Sequence, residues 1–184
     1  MALVVEDGTC VATANAFVTR AELIAYAADY QPSLTIASDT ITDAAILRAS
    51  AWLSAFPDWD GSLKCGRGLQ GLAWPRTGVT DCGGDAVPSD EVPQEVKTSA
   101  FLASLAELAS PGILAPTVIP GEQRKSVQVD VISVTYMSPS EQGALPGSTN
   151  PVTALRPVFV AIEDLLKCMA TLPGGPEVPW PWVA

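Results

Sequence analysis

The spacing of apolar residues predicts helices that are separated by Pro- and Gly-rich connections. The sequence from Thr19 to Glu22 fits a capping box, so a first helix is predicted to begin at Thr19 and to end before Pro32. A second helix is predicted over about 39–56. The predicted buried faces of these two helices are Leu23, Tyr26, Ala27 and Tyr30, and Ile41, Ala45, Ala49, Trp52, Leu53 and Phe56.

Two more helices are predicted nearer the carboxyl end. The third begins near Pro93, a residue suited to a first helical position, and the fourth covers about 157–169. Glu163 and Lys167 are spaced to form an ion pair on the outside of the fourth helix. The predicted buried residues are Phe101, Leu102, Leu105, Leu108 and Ala109, with Val96, Ala100 and Ala103 on the opposite side of the third helix, and Phe159, Ile162, Leu166 and Met169 on the fourth.

Between the third and fourth helices, the apolar residues alternate with polar ones, which predicts a β-hairpin over about 122–136. The alternation slips by one residue between Val131 and Ile132, so a turn or bulge is predicted there. A two-stranded hairpin is barely stable alone, so we expect it to lean on the helices or on a neighbouring subunit. Its apolar positions are Val127, Val129, Val131, Ile132, Val134 and Tyr136.

Residues 57–92 contain seven glycines and three prolines and read as one long irregular segment. Such a loop needs apolar anchors in a compact domain, and we expect it to wrap around the helices. The predicted anchors are Trp59, Leu63, Leu69, Leu72 and Trp74. The whole pattern predicts a mainly α fold: a four-helix-type bundle with a protruding hairpin, a long Gly/Pro-rich loop and an extended C-terminal arm. The helical domain is predicted at 1–172 and the Pro/Trp-rich arm at 173–184.

The composition excludes several classes of protein for this chain. With 184 residues, 48% apolar and 16% charged, the chain is too apolar to be disordered and has too little charge for a coiled coil. No apolar run approaches the roughly 20 residues of a membrane span. The start MALVVEDG lacks the features of a signal peptide, which argues against secretion. Ten basic residues against 20 acidic ones do not favour a general nucleic-acid-binding surface.

The absence of histidine removes the commonest general base and metal ligand, so we expect no enzyme, cofactor or metal site. The cysteines do not form a C-x-x-C pair, which argues against a zinc site. Without a signal peptide, we expect free thiols rather than disulfides. The cysteines are Cys10, Cys65, Cys82 and Cys168.

Three other features have a functional and a structural interpretation. Residues 66–71 read G-x-G-x-x-G but lack a flanking strand and helix, so we favour a plain loop over a dinucleotide site. Arg48 lies on the apolar face of the second helix and is either a paired or interface residue or a stem that lies along the core. The neighbouring carboxylates favour a solvated acidic surface over a catalytic or cation site. They are Asp58, Asp60, Asp81, Asp85, Asp90 and Glu91.

Trp180 and Trp182 alternate with Pro179 and Pro181 at the end of the chain. Prolines stiffen the segment, and tryptophans are typical interface anchors, so we favour a partner contact over folding back onto the domain. Arg124 is followed by Lys125 at the base of the hairpin, the only adjacent basic pair, and two cations alone do not indicate nucleic-acid binding.

Three features of the chain resemble the head–tail connectors of tailed phages, also called adaptor or head-completion proteins and often described as DnaT-like single-stranded-DNA-binding proteins. The features are the opening ALVVEDGT…ANAFVT, the stretch LAWPRTGVTD…VPSDEVPQEVK, and the closing order of helix, hairpin and helix. The similarity covers roughly 1–170, and Leu72 to Lys97 is its most specific part. The closing PWPW and the cysteines are not features of that family.

The resemblance implies a virion structural protein rather than an enzyme. Such connectors form a homo-oligomeric ring, usually twelvefold, under the portal protein, extend the DNA channel and dock the next neck (stopper) or tail protein. Genomic double-stranded DNA would pass through the lumen without specific binding, and an acidic lumen would let it slide. The ring would assemble in the host bacterial cytoplasm and reside in the virion neck, with no cofactor and no membrane.

The hairpin and the arm are the predicted contact elements for the portal or a neighbouring subunit. The predicted partner-binding residues are Trp180, Trp182, Pro179, Pro181, Arg124, Lys125, Val127, Val129, Ile132, Val134 and Tyr136. The alternative is a single-stranded-DNA-binding protein of phage replication, which needs a basic groove with stacking aromatics. Five tryptophans could stack, but ten basic residues scattered among 20 acidic ones do not predict such a groove.

Overall fold

The computed structural model describes residues 2–34, 36, 38–55, 57–115 and 158–171, and the backbone of 124–128 and 133–136. The chain divides into two compact units. The first unit comprises 1–115 with 158–172, and the second comprises 116–157 with 173–184. The predicted boundary between a helical domain at 1–172 and an arm at 173–184 stays a prediction, because the arm lies outside the described residues.

The first unit holds four helices, so the described part of the chain is mainly helical with a few short strands. They are α1 (Arg20–Tyr30), α2 (Asp39–Ala55), α3 (Gln94–Ala109) and α4 (Val160–Leu166). Helix α3 packs against each of the other three helices. Each of the four predicted helices is confirmed, although α4 is shorter than predicted. Among the described residues, no helix is long and apolar enough to cross a membrane.

The start of α1 confirms the predicted capping box. The amide of Glu22 donates to the Thr19 hydroxyl, and the Glu22 carboxylate accepts the Thr19 amide at 2.7 Å, so both orphan groups are satisfied. Partial burial raises the pKa of Glu22, but the hydrogen bonds from Thr19 outweigh it and leave that pKa below its usual value.

Helix α3 is buried on two sides, as predicted. Val96, Ala100 and Ala103 lie on one side and Phe101 and Leu105 on the other, and all five are buried. Small residues let neighbouring helices approach closely, which explains how three helices share α3 as a neighbour.

Several residues that were predicted to be buried are exposed or only partly buried. Tyr30, the last residue of α1, is 59% exposed. Ile41 is 55% exposed because the buried face of α2 lies one position further along, at residues that include Ile46 and Ser50. Tyr26, Trp52, Leu102, Leu108 and Phe159 are partly buried, and Ala109 is exposed. Phe56 lies outside the described residues.

On α4, Ile162 and Leu166 are buried as predicted, and so is Met169 in the turn that follows. The predicted pair Glu163–Lys167 is not among the ion pairs of the described residues. Helix α4 ends at Leu166, and Lys167 is the C-cap residue that follows it.

The irregular segment 57–92 contains three short strands rather than none. Strand β1 (Asp58–Trp59) pairs with β6 (Ala170–Thr171) after α4, and β2 (Ser62–Leu63) pairs with β3 (Arg76–Thr77). The Trp59 indole donates to the Leu53 carbonyl at 3.0 Å, which ties the segment to α2 as expected. Trp59, Leu72 and Trp74 are buried anchors and Leu63 is half-buried, but Leu69 is 66% exposed, so its prediction was wrong.

The guanidinium of Arg76 organises this segment. Its three nitrogens donate to the carbonyls of Asp60 at 2.7 Å, Gly61 at 2.9 Å, Trp59 at 3.1 Å and Ala73 at 3.3 Å. A backbone with little regular pairing leaves carbonyls that need donors, and one planar fork of N–H groups satisfies four of them.

A buried carboxylate, that of Glu6, shapes the amino-terminal segment. Glu6 is 1% exposed, and its carboxylate accepts the amides of Gly8, Cys10 and Val11 at 2.8–3.0 Å. These bonds fold the chain around the carboxylate, and Cys10 takes the left-handed φ of 66° there. A Cβ on Gly8 would lie 2.0 Å from the Asp90 carbonyl, so a glycine is required at this close approach.

All four cysteines form disulfides, which corrects the prediction of free thiols. Cys10 bonds to Cys65 with a Cα–Cα distance of 6.2 Å, and Cys82 bonds to Cys168 with a distance of 5.2 Å. The partners are 55 and 86 residues apart, so no local spacing could indicate the pairing. Both disulfides hold segment 57–92, one against the amino-terminal segment and the other against the end of α4.

The second unit contains the predicted hairpin, formed by β4 (Arg124–Gln128) and β5 (Ser133–Tyr136) in antiparallel register. The predicted slip between Val131 and Ile132 lies outside the described residues. A register irregularity lies between Arg124 and Ser126.

Removing one disulfide tests its contribution to stability. In Cys82→Ser with Cys168→Ser, we expect the free energy of unfolding to fall by about 4 kcal/mol, because a long loop is no longer closed in the denatured chain. Urea denaturation without reductant measures the change, with the oxidised wild type as reference. An unchanged midpoint, or free thiols in the wild type by mass spectrometry, would contradict the assignment.

Replacing Arg76 tests its role in segment 57–92. We expect Arg76→Lys to lower the free energy of unfolding by roughly 1–3 kcal/mol, because one ammonium cannot reach four carbonyls arranged around a planar guanidinium. The matched control is Arg67→Lys, an exposed arginine, which should change stability by less than about 0.5 kcal/mol. Equal effects of the two substitutions in thermal or urea unfolding would show that the carbonyl contacts are unimportant.

Candidate functional site

The backbone register of the hairpin sets a basic residue opposite an aromatic one at one end of the ribbon. Arg124 and Tyr136 are register partners, and Lys125 occupies the register irregularity next to them. Further along, Val127 is opposite Val134. The structure therefore places Arg124, Lys125 and Tyr136 at one end of a two-stranded ribbon, a combination that contacts between proteins and single-stranded nucleic acid use.

The other predicted partner-binding residues lie outside the described part of the chain. Val129 and Ile132 fall between the two strands, and the tail follows β6. The tail residues concerned are Pro179, Trp180, Pro181 and Trp182.

Seven of the ten basic residues lie in the first unit, and four of these seven are engaged internally. Arg20 forms a fork with Asp43 at 2.7 and 2.8 Å and also contacts Asp39. Lys64 donates to the carbonyl of Gly8 at 3.2 Å. The other two engaged cations are Arg48 and Arg76, which leaves Arg67, Lys97 and Lys167 without an ion pair in the described residues.

Arg48 satisfies both alternatives left open by the sequence. Its Nε donates to the Glu107 carboxylate at 2.5 Å, so it is paired, while its side chain stays 49% exposed. Glu107 is 1% exposed and also accepts the Gly112 amide at 2.8 Å. The buried carboxylate therefore joins α2, α3 and the turn after α3, and it holds the Arg48 guanidinium at the surface.

An open cleft of about 430 Å³ lies beside β1 and the glycine-rich loop 66–71. Its charged lining residues are Asp58, Arg67 and Arg76. Burial lowers the pKa of Arg76 from its ordinary value, and the carboxylates of Asp60 and Asp58 oppose that shift. The cleft thus carries both signs of charge, and the donors of Arg76 are directed mainly at backbone carbonyls.

The G-x-G-x-x-G loop lacks the flanking elements of a dinucleotide-binding motif in the part of the chain that the structure describes. The next helix after Gly71 is α3, which begins only at Gln94, and the strands before the loop, β1 and β2, have two residues each. Within this loop, the side-chain amide of Gln70 donates hydrogen bonds to the backbone carbonyls of Leu72 and Pro75 at 3.0 and 2.9 Å.

The acidic residues form a solvated surface, as predicted. The six carboxylates singled out between Asp58 and Glu91 are all exposed. Among the described residues, no group of acidic residues and cysteines is arranged to hold a metal ion. On α4, burial raises the pKa of Glu163 and neighbouring Asp164 raises it further.

Sequence reasoning missed the two buried glutamates, Glu6 and Glu107. Glu6 lies between the apolar residues 2–5 and Asp7. Its partners are backbone amides rather than a charged side chain, so no complementary residue type in the sequence marks it as buried. Glu107 had one usable signal: its spacing places it on the same side of α3 as the buried Ala100 and Ala103, so an arginine partner could have been sought.

Comparison with known proteins gives one family. A family model described as "Putative DnaT-like ssDNA binding protein" matches residues 1–176. No curated protein matches the chain, and no solved structure does. The match includes the hairpin and ends before Trp180 and Trp182.

Proposed function

Because the chain belongs to the DnaT-like ssDNA-binding protein family, we propose that it binds single-stranded DNA. The observation that carries the proposal is the length of the match, residues 1–176, which includes both units and leaves out only the end of the tail. Single-stranded DNA binding combines cations along the phosphate backbone with aromatic rings on which bases stack.

The base of the hairpin is the part of the described structure that fits such binding. Arg124 and Lys125 are adjacent, and Tyr136 is the register partner of Arg124. In the first unit most cations are already engaged with carboxylates or carbonyls, so they offer little to a phosphate backbone. Binding would therefore be carried by few phosphate contacts, so it would be weak, and its dependence on salt would be modest because that dependence scales with the number of phosphates contacted.

Substitution at the hairpin tests this proposal. Fluorescence anisotropy with an oligo-dT would follow binding of Arg124→Gln with Lys125→Gln as the salt concentration is raised. Loss of two phosphate contacts should reduce the slope of log affinity against log salt by about 1.4. The matched control is Arg67→Gln with Lys97→Gln, which removes the same net charge from unpaired cations and should leave the slope unchanged. Equal slopes for both variants would place DNA binding elsewhere or exclude it.

A second candidate is a structural role as a ring-forming head–tail connector. It is favoured by the charge distribution: the net charge is −10, and the described acidic residues of segment 57–92 face solvent, while most cations of the first unit contact carboxylates or carbonyls of that unit. Such a surface repels phosphate, which suits a channel that DNA crosses without binding. In this role the ring would meet a portal above and a neck or tail protein below, and the hairpin and arm would make the contacts.

Native mass spectrometry separates the two functions. For the connector, we expect about a dozen copies to load onto the portal ring of the same phage, and no tight complex with an oligo-dT at low salt. Trp180→Ala with Trp182→Ala should stay folded by circular dichroism but fail to load. Oligo-dT binding without loading onto the portal would support the single-stranded-DNA function instead. Normal loading by the tryptophan variant would show that the arm is dispensable.

A further inference from the structure

Three aromatic rings form a stack that runs from the core to the surface at the end of α1. The ring of Tyr26 lies over that of Phe101 with the centroids 4.7 Å apart, and the ring of Tyr30 lies over Tyr26 at 5.3 Å. Both interplanar angles are 18°, so the rings are stacked rather than edge-on. Phe101 is buried, Tyr26 is half-buried and Tyr30 is 59% exposed, so the stack ends in solvent at Tyr30.

The ring of Tyr30 is held in place by its neighbours. Tyr30 is the last residue of α1, one turn after Tyr26, and the Gln31 amide closes the helix end by donating to the Ala27 carbonyl at 2.8 Å. Tyr26 rests in turn on the buried ring of Phe101 in α3. A ring that is already fixed loses little conformational freedom when another flat group packs on it, so binding there is less costly.

Tyr30 is the accessible ring of the first unit. Trp59 and Trp74 are 8% and 0% exposed, and Trp52 is partly buried and contacts Phe159. Among the residues whose side chains the structure describes, Tyr30 is the only aromatic residue that is mainly exposed. One face of its ring is covered by Tyr26, and an exposure of 59% requires the opposite face to be open.

We propose that the open face of Tyr30 stacks on an unpaired nucleobase of single-stranded DNA, which would continue the stack as its fourth ring. The inference rests on the proposed DNA binding and adds to it a contact that needs no cation. Stacking suits the first unit, because most of its cations already contact carboxylates or carbonyls. The base must be unpaired, since both faces of a base inside a duplex are covered by its neighbours.

The surroundings of Tyr30 favour a base over the other candidate ligands. The residues on either side of it in the chain, Asp29 and Gln31, are polar, whereas a protein partner usually docks on a continuous apolar patch. Asp29 is exposed and would repel a phosphate, so the contact is with the base rather than with the DNA backbone.

The first test removes the ring. In fluorescence anisotropy with an oligo-dT at low salt, Tyr30→Ala should bind about 5- to 150-fold more weakly than the wild type, because one stacked base is lost. Tyr30→Phe keeps the ring and should bind like the wild type. The matched control is Ile24→Ala, which removes another exposed apolar side chain of α1 and should leave the affinity unchanged. Thermal unfolding checks that all three variants fold.

Two further measurements identify stacking as the cause. The slope of log affinity against log salt should be the same for Tyr30→Ala and the wild type, because no phosphate contact is lost, in contrast to the hairpin variant. An abasic oligodeoxynucleotide of the same length has no base to stack, so the wild type and Tyr30→Ala should bind it equally.

The outcomes separate this inference from the proposed function. If the wild type binds oligo-dT and Tyr30→Ala binds it as tightly, the stacking site is wrong while DNA binding stands. An equal loss of affinity for the oligo-dT and the abasic strand would also overturn the stacking site. A wild type that does not bind oligo-dT at low salt overturns the proposed function and the stacking site with it.

Discussion

The fold depends on satisfying the backbone of segment 57–92, which crosses the helices with only two-residue strands of its own. A buried carbonyl without a donor is costly, and regular structure is the usual remedy. Here one side chain, Arg76, supplies four donors, and Gln70 supplies two more. The disulfides then hold the segment from both sides. The helices can pack around α3 because this segment covers them with Trp59 and Trp74.

Local features of the fold could be predicted from the sequence, whereas contacts between residues that are distant in the sequence could not. Apolar spacing predicted the helices, and the Thr19–Glu22 motif predicted the cap, because both are decided within a few residues. Disulfides between positions 55 and 86 residues apart, and the contact of Arg48 with Glu107, depend on how the helices pack. For the candidate site, the alternation predicted the hairpin with its basic pair, but only the register brings Tyr136 to Arg124.

Internal use of cations has a consequence for function. A chain with twice as many acidic as basic residues has few cations that could bind a ligand. In this fold several of those cations already contact the protein's own carboxylates and carbonyls. The acidic side chains, by contrast, stay at the surface in segment 57–92. In the described part of the first unit, the basic residues left without an ion pair or a carbonyl partner are Arg67, Lys97 and Lys167.

The stretch that most resembles phage connectors performs a structural task in this fold. Between Leu72 and Lys97, Trp74, Val79 and Val96 are buried, and Arg76 is directed at backbone carbonyls. These buried side chains and carbonyl contacts help to cover the helical core, so the stretch supports the fold, and a fold does not by itself specify a ligand. The function must then be decided by surfaces outside the motif. That is why the hairpin variant and the variant of the two terminal tryptophans discriminate between DNA binding and assembly better than any change within the motif.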